Sequence, residues 1–237
     1  MTWRVPPYDR AVAEAEAFIR ATWQPIGIVV SGSIVRGEAG PTSDLDIVVV
    51  HGEPWRQRVQ RRFAGVPAEL FVNPPERIRG YFVGEHARGR PHTAHMLATG
   101  VVLGDAAPIL VDLIEEARAS LAKPIELTPA QLESKRHGPV CTLDDARDML
   151  AIDPALAYLM FATAVQDIAA FAFWQRARFQ PRRKDLMRAL QTIDPIAADH
   201  VRAFANARGD DAARIAIDLA NHVLGVDTFF EWTSDRD

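Results

Sequence analysis

Two aspartates separated by a single leucine stand in an otherwise apolar stretch of this chain. Asp44 and Asp46 lead into the run Ile-Val-Val-Val, and the pair Gly32-Ser33 lies upstream, after the apolar residues 26–30. Side chains two apart on a strand project from the same face of a sheet. A Mg²⁺ ion prefers carboxylate oxygens and would at this point also bind triphosphate oxygens. The spacing predicts a magnesium site that allows a nucleotidyl group to be moved.

The Gly32-Ser33 pair has the properties of an anion-binding turn. A glycine lets the backbone approach phosphate oxygens, and a serine in the first turn of a helix offers its hydroxyl and backbone N–H groups to an anion. Most such pairs are ordinary turns, so the prediction depends on the nearby acids. Asp44 and Asp46 fit poorly in a strand of Leu, Ile and Val, and they repel each other unless a cation bridges them. The alternative is a solvated strand start that follows a Ser-Asp turn.

A third acid, Glu69, begins the next strand-like run, which covers residues 68–73. If this strand neighbours the one that carries Asp44 and Asp46, the three carboxylates lie side by side. Glu69 would then complete the metal site or take the proton from an attacking hydroxyl. The alternative is an exposed acid at a strand edge.

The segment 32–50 resembles the signature of a known group of proteins. Its sequence, Gly-Ser-Ile-Val-Arg-Gly-Glu-Ala-Gly-Pro-Thr-Ser-Asp-Leu-Asp-Ile-Val-Val-Val, is similar to that of the DNA polymerase β-type nucleotidyltransferase superfamily, in particular the minimal and the aminoglycoside nucleotidyltransferases. The resemblance extends more loosely to residue 122. It implies that Gly32 and Ser33 hold a triphosphate, that Asp44 and Asp46 bind Mg²⁺, and that Glu69 assists the attack.

The same resemblance implies two further phosphate contacts. Arg36, in the Arg-Gly of the motif, would meet a phosphate; the alternative is a surface arginine on a one-turn helix. Lys184 begins a helix in a basic segment and resembles a phosphate-contacting lysine of the antibiotic adenylyltransferases. The alternative for Lys184 is a solvated basic loop. The cofactor and co-substrate implied are Mg²⁺ and ATP, or another nucleoside triphosphate.

The acceptor follows only from the family. The resemblance implies a hydroxyl-bearing small molecule, with an aminoglycoside-type antibiotic, and hence antibiotic resistance, as the expectation. A minimal-nucleotidyltransferase antitoxin-like or regulatory module that nucleotidylates or binds a partner protein is the alternative. A degenerate nucleotide-binding protein is a third reading, against which the intact Asp-x-Asp argues. The oligomeric state is left open. A cleft completed by a second subunit is common in relatives, and such a cleft would be consistent with a homodimer.

Hydrophobic periodicity predicts an α+β protein with two domains. Apolar runs alternate with helical patterns over residues 1–123, which indicates an α/β nucleotidyltransferase domain with a mixed sheet, and residues 124–237 read as an all-α helical bundle. Predicted strands cover residues 26–31, 45–50, 68–73 and 101–103. Predicted helices cover residues 8–23, 54–63, 92–99 and 107–122, with another that opens at residue 75. In the second half, helices are predicted over residues 130–137, 154–178, 183–193, 195–208 and 210–224, with a further one capped by Thr142.

Composition excludes several other classes of protein. Of 237 residues, 48% are hydrophobic and 24% charged, as in ordinary globular proteins, and the net charge of −4 gives no support for an extended nucleic-acid partner. No run approaches about 18 uninterrupted apolar residues, so no membrane span is expected. Residues 1–7 lack the apolar core of a signal peptide. One cysteine, Cys141, cannot form an internal disulfide, and a cytoplasmic location is the default.

Overall fold

The structure, a computed structural model, describes residues 8–236. The segment 1–7, for which the sequence predicts no signal-peptide core, lies outside the described residues. The chain divides into two compact units, one extending to Lys123 and the other beginning at Pro124. The first unit contains a mixed sheet with helices, whereas the described part of the second contains helices and no strand. The predicted α+β class is confirmed.

The sheet of the first unit has five strands in the order β3-β4-β2-β1-β5. The central pair, β2 and β4, is parallel, and the other neighbouring pairs are antiparallel. The strands are β1 (Gly27–Ser31), β2 (Leu45–Val50), β3 (Gln57–Phe63), β4 (Val66–Asn73) and β5 (Val101–Val102). The helices of this unit are α1 (Asp9–Thr22), α2 (Pro75–Ala87), α3 (His92–Thr99) and α4 (Pro108–Ala122).

Both faces of the central strands are covered, which explains their continuous apolar runs. Ile47 and Val49 of β2 pack in a core cluster that includes the apolar residues of α1. Val48 and Val50 point to the other face and pack in a cluster formed with α2, α3 and α4. Because side chains alternate along a strand, Asp46 shares the face of Val48 and Val50. It lies at the start of the strand, two residues before this apolar cluster begins.

The predicted helix over residues 54–63 is wrong, because β3 occupies this segment as an edge strand. Val59 and Phe63 are four residues apart, a spacing that also fits one face of a helix. Pairing with β4 overrides that pattern and makes an antiparallel hairpin. The basic residues of β3, Arg58, Arg61 and Arg62, are therefore divided between the two faces of a strand. Arg61 lies on the α1 face, with its guanidinium 4.5 Å from the centroid of the Phe18 ring.

The hairpin turn between β3 and β4 consists of Ala64 and Gly65. Both have positive φ angles, 46° and 83°, as the tight two-residue turns of β-hairpins require. The backbone N–H of Ala64 donates to Glu14 Oε2 at 2.6 Å. This hydrogen bond ties the turn to α1 and helps to fix the register of β3 on β4.

The helical unit contains a long first helix where the sequence predicts two. Helix α5 runs through Pro129–Met149 and includes Pro139, so the predicted break and the cap at Thr142 are wrong. Proline removes one backbone donor, but Val140 and Leu143, which follow it, are buried in the core and hold the helix in place. The hydroxyl of Thr142 donates to the carbonyl of Gly138 at 3.1 Å instead of capping a helix.

The next helix, α6 (Pro154–Trp174), is apolar and packs against the other helices of this unit. The helices that follow it are α7 (Leu186–Ile193), α8 (Pro195–Asn206) and α9 (Gly209–Leu224), with a 3₁₀ turn at Arg183–Asp185. Helix α6 ends at Trp174, short of the predicted residue 178. By length and mean hydropathy, 1.6 over 18 residues, it is able to cross a membrane, but 50% of that window is buried in the structure. Phe161, Ile168 and Phe171 belong to the core cluster of this unit, which is the pattern of an interior helix.

Asp194 joins three elements of the helical unit. It is 8% exposed and caps α8, where its Oδ1 accepts from the N–H of Ala197 at 3.0 Å. The same oxygen lies 2.9 Å from His222 Nε2, and Oδ2 accepts from Arg176 Nη2 at 3.0 Å. Burial by itself raises the pKa of the Asp194 carboxyl, but the bonds from Ala197 and His222 and the charge of Arg176 outweigh it, so the net pKa is lowered.

We expect Asp194→Asn to lower the free energy of unfolding at pH 7 by about 1–3 kcal/mol, since it removes a buried charged hydrogen-bond partner. The folded carboxyl has a pKa below its ordinary value of 3.8, so its contribution is present above about pH 4 and is lost as pH falls through the folded pKa. Urea unfolding at pH 7 and at pH 3 measures this. Asp199→Asn, which removes a carboxylate that is 73% exposed, should change stability little at either pH.

Candidate metal centre

The structure brings the three acids singled out in the sequence to one point. Asp44 directly precedes β2, Asp46 is the second residue of β2, and Glu69 is the fourth residue of β4. Two details differ from the prediction, because Asp44 lies just outside the strand and Glu69 does not begin its own. The parallel register places Asp46 opposite Glu69. One carboxylate oxygen from each residue lies within 4.8 Å of the others.

Gly32 follows β1 and packs directly against the acidic cluster. Its φ angle is +96°, a conformation that residues with a Cβ rarely adopt. A Cβ at this position would lie 2.6 Å from Asp46 Oδ2. The antiparallel register explains this approach, since Ser31, the residue before Gly32, pairs with Asp46. The glycine is therefore required twice, by the turn and by the neighbouring carboxylate.

The turn after Gly32 is tied to the residues that precede Asp44. Ser33 is 7% exposed, and its Oγ lies 2.9 Å from Ser43 Oγ. The N–H of Gly40 donates to the same Ser43 oxygen at 2.9 Å. These bonds close the loop between β1 and β2 and bring Ser33 beside the acidic cluster. The triphosphate-holding role of Gly32 and Ser33 stays a prediction.

Arg36 and Lys184, the two predicted phosphate contacts, belong to other elements than the strands that carry the acids. Arg36 is in the loop after β1, where its Nε donates to Glu38 Oε2 at 3.1 Å. Lys184 is an exposed residue in the 3₁₀ turn of the helical unit. The roles of both residues stay predictions.

Two residues beside Glu69 were missed in the sequence because they belong to the strand that we interpreted as a helix. Arg58 Nε donates to Glu69 Oε1, and Gln60 Nε2 donates to the same oxygen at 3.4 Å. The register explains both contacts, since Gln60 pairs with Glu69 and Arg58 with Phe71. The Ala-Gly pair that follows Phe63, between two strand-like runs, is the signal that indicates a hairpin here.

Arg58 sets the electrostatics of Glu69. The hydrogen bond from Arg58 lowers the pKa of the Glu69 carboxyl, and this effect exceeds the opposing effect of burial. The side chain of Glu69 is 11% exposed, whereas that of Arg58 is 66% exposed. A nearly buried carboxylate is thus kept ionised by a guanidinium that lies largely in solvent.

The donor set fits a hard divalent cation. Magnesium and manganese prefer oxygen ligands, and an ion with one or two protein carboxylates commonly completes its coordination with substrate phosphates. Three convergent carboxylates satisfy this requirement, and their mutual repulsion is relieved when a cation lies among them. Asp44, Asp46 and Glu69 are therefore suited to hold Mg²⁺.

Comparison with known proteins agrees with this class of site. Residues 12–76, which include all three acids and Gly32, match the family model described as nucleotidyltransferase domain. No curated protein matches the sequence. Among solved structures, a nucleotidyltransferase-like protein from Exiguobacterium sibiricum 255-15 has a similar fold, with a TM-score of 0.55 and 12% identity, over 91% of this chain and 73% of that one. The segment of the first unit that carries the acids is thus similar to a nucleotidyltransferase domain.

We expect Gly32→Ala to destabilise the protein by about 1–3 kcal/mol more than Gly37→Ala, since the added methyl group overpacks against Asp46. Gly37 also has a positive φ, +72°, but a Cβ there meets nothing within 4 Å, so this control isolates the backbone strain. Chemical unfolding of both variants measures the difference. Equal losses of stability would show that Asp46 moves aside freely.

Proposed function

We propose that this protein transfers a nucleoside monophosphate from a nucleoside triphosphate, with ATP as the expected donor, to a hydroxyl group of a small molecule. The observation that carries the proposal is the convergence of Asp44, Asp46 and Glu69 within 4.8 Å. It occurs inside the segment that matches the nucleotidyltransferase domain. A glycine turn whose backbone approaches the same carboxylates further supports a site for phosphate groups.

The reaction exchanges a phosphoanhydride bond for a phosphoester bond. The acceptor oxygen forms a bond to the α-phosphorus while the bond from this phosphorus to the bridging oxygen of the β-phosphate breaks. Pyrophosphate leaves, and the proton of the acceptor hydroxyl passes to water. Mg²⁺ bound to the three carboxylates would supply neutralisation of the phosphate charge.

The residues of the chain supply alignment and electrostatics. Asp44 and Asp46 hold the cation, and Gly32 and Ser33 orient the triphosphate beside it. Glu69 accepts hydrogen bonds from Arg58 and Gln60 through Oε1. The hydrogen bond from Arg58 lowers the pKa of the Glu69 carboxyl. A carboxylate with a lowered pKa is a weaker base, which supports the role of a ligand for Glu69 over that of a proton acceptor.

The remaining expectations belong to the same proposal. Arg36 and Lys184 would contact phosphate groups. The family resemblance makes an aminoglycoside-type antibiotic the expected acceptor and the cytoplasm the expected location. If a polypeptide rather than a small molecule receives the nucleotide, the alternative of an antitoxin-like or regulatory module is favoured instead.

We expect ATP with Mg²⁺ to raise the melting temperature of the protein more than either one alone, since a ligand that binds only the folded state stabilises it. A thermal-shift screen of the common nucleoside triphosphates, each with and without Mg²⁺, measures this. It also identifies the preferred base. If no nucleoside triphosphate raises the melting temperature in the presence of Mg²⁺, the proposal is contradicted.

We expect Asp46→Asn to reduce nucleotidyl transfer and pyrophosphate release by at least about 100-fold, because it removes charge from the point that stabilises the transition state. ATP labelled at the α-phosphate, incubated with candidate acceptors, shows both the rate and the labelled product. Asp112→Asn, which changes an exposed acid on α4, is the matched control and should keep its activity. Wild-type turnover in Asp46→Asn would refute the assignment.

A further inference from the structure

The position of Arg58 at the acidic cluster is not explained by the reaction alone. Its guanidinium donates to Glu69, one of the three carboxylates that would bind the cation. A guanidinium stays protonated at any physiological pH, so a fixed positive charge lies against a carboxylate that would also bind the cation.

We propose that Arg58 is a counter-ion built into the centre, which holds Glu69 while no cation is bound and is displaced from it when a divalent cation binds. This inference rests on the proposed function, because it assumes that the three carboxylates bind a cation. It assigns to Arg58 a positioning role, in which the residue sets the affinity of the centre through Glu69.

The charges of the cluster provide the first argument. Three carboxylates with oxygens within 4.8 Å of one another repel strongly when all are ionised. The guanidinium of Arg58 compensates one of these negative charges in the cation-free protein. A divalent cation compensates them more completely, but it is repelled by a guanidinium that remains close. The two positive groups thus compete for Glu69.

The burial of the two partners shows which of them is able to move. Glu69 is fixed in a central strand with a side chain that is 11% exposed, whereas the side chain of Arg58 is 66% exposed on an edge strand. Displacement therefore costs little desolvation for Arg58. The ring of Phe71, whose centroid is 5.2 Å from the guanidinium carbon, offers the released group an aromatic face.

Gln60 allows Glu69 to stay in place when Arg58 leaves. Its Nε2 donates to the same Glu69 oxygen from the neighbouring position on β3. A neutral amide holds the carboxylate without repelling a cation. The strand thus carries one charged partner that can be exchanged and one neutral partner that can remain.

The test measures the binding of Mn²⁺ alone, without nucleotide, by the electron paramagnetic resonance signal of the free ion. We expect Arg58→Gln to bind Mn²⁺ about tenfold more tightly than the wild type, because the competing charge is gone. Arg58→Lys keeps the charge and should bind like the wild type. Arg62→Gln, on the same face of β3 but bonded to the carbonyl of Gly65 at 2.9 Å, is the charge-matched control and should also be unchanged.

A second variant separates the pair from a general effect of charge. Because Arg58 acts through Glu69, adding Arg58→Gln to Glu69→Gln should increase Mn²⁺ affinity far less than it does in the wild type. In the absence of metal, Arg58→Gln should also melt at a lower temperature than Arg62→Gln, since Glu69 then loses its charged partner. Mn²⁺ should abolish this difference.

The outcomes distinguish the two proposals. Suppose that the wild type binds Mn²⁺ and Asp46→Asn does not. If Arg58→Gln then binds Mn²⁺ with unchanged or weaker affinity, the counter-ion role is overturned and the metal centre is left intact. A wild type that binds no Mn²⁺ overturns both proposals. Far-ultraviolet circular dichroism verifies that each variant is folded. If Arg58→Gln does not fold, the Mn²⁺ affinity of Arg58→Lys is compared with that of the wild type instead.

Discussion

Repulsion among three carboxylates is the constraint on which the first unit depends. Asp44, Asp46 and Glu69 converge within 4.8 Å, and like charges at that separation disfavour the fold that gathers them. The parallel pairing of β2 with β4 nevertheless fixes Asp46 opposite Glu69. The energy for this arrangement comes from the apolar residues that follow on both strands, since they are buried on both faces of the sheet.

The surroundings of the carboxylates show how such a cluster is tolerated. It lies at the start of β2 and at the fourth residue of β4, whereas Val48 and Val50 on the same face are covered by the helices that follow β4. Gly32 removes a side chain that would collide with Asp46, and Arg58 places a positive charge beside Glu69. An arrangement that is unfavourable in isolation is in this way suited to hold a cation.

Two segments, β3 and α5, differ from what their sequence predicts. Strand β2 and helix α1 were predictable because a short run of β-branched residues favours a strand and apolar residues at a 3.6-residue period favour a helix. Strand β3 was not, because Val59 and Phe63 fit a helix face as well as a strand, and only pairing with β4 decides between them. Helix α5 continues through Pro139 because its neighbouring side chains are buried in the core, and burial is not visible in local sequence.

The sequence by itself determined the chemistry, because residue type and spacing made Asp44 and Asp46 a carboxylate pair beside a glycine turn, and it indicated a third acid in the next apolar run. Tertiary structure alone decided that Glu69 lies opposite Asp46, and that Arg58 and Gln60 hold it. The physical reason is that strand order and register arise from pairing between segments distant in the chain. Local patterns of hydrophobicity specify which segments are strands, but not which strands become neighbours.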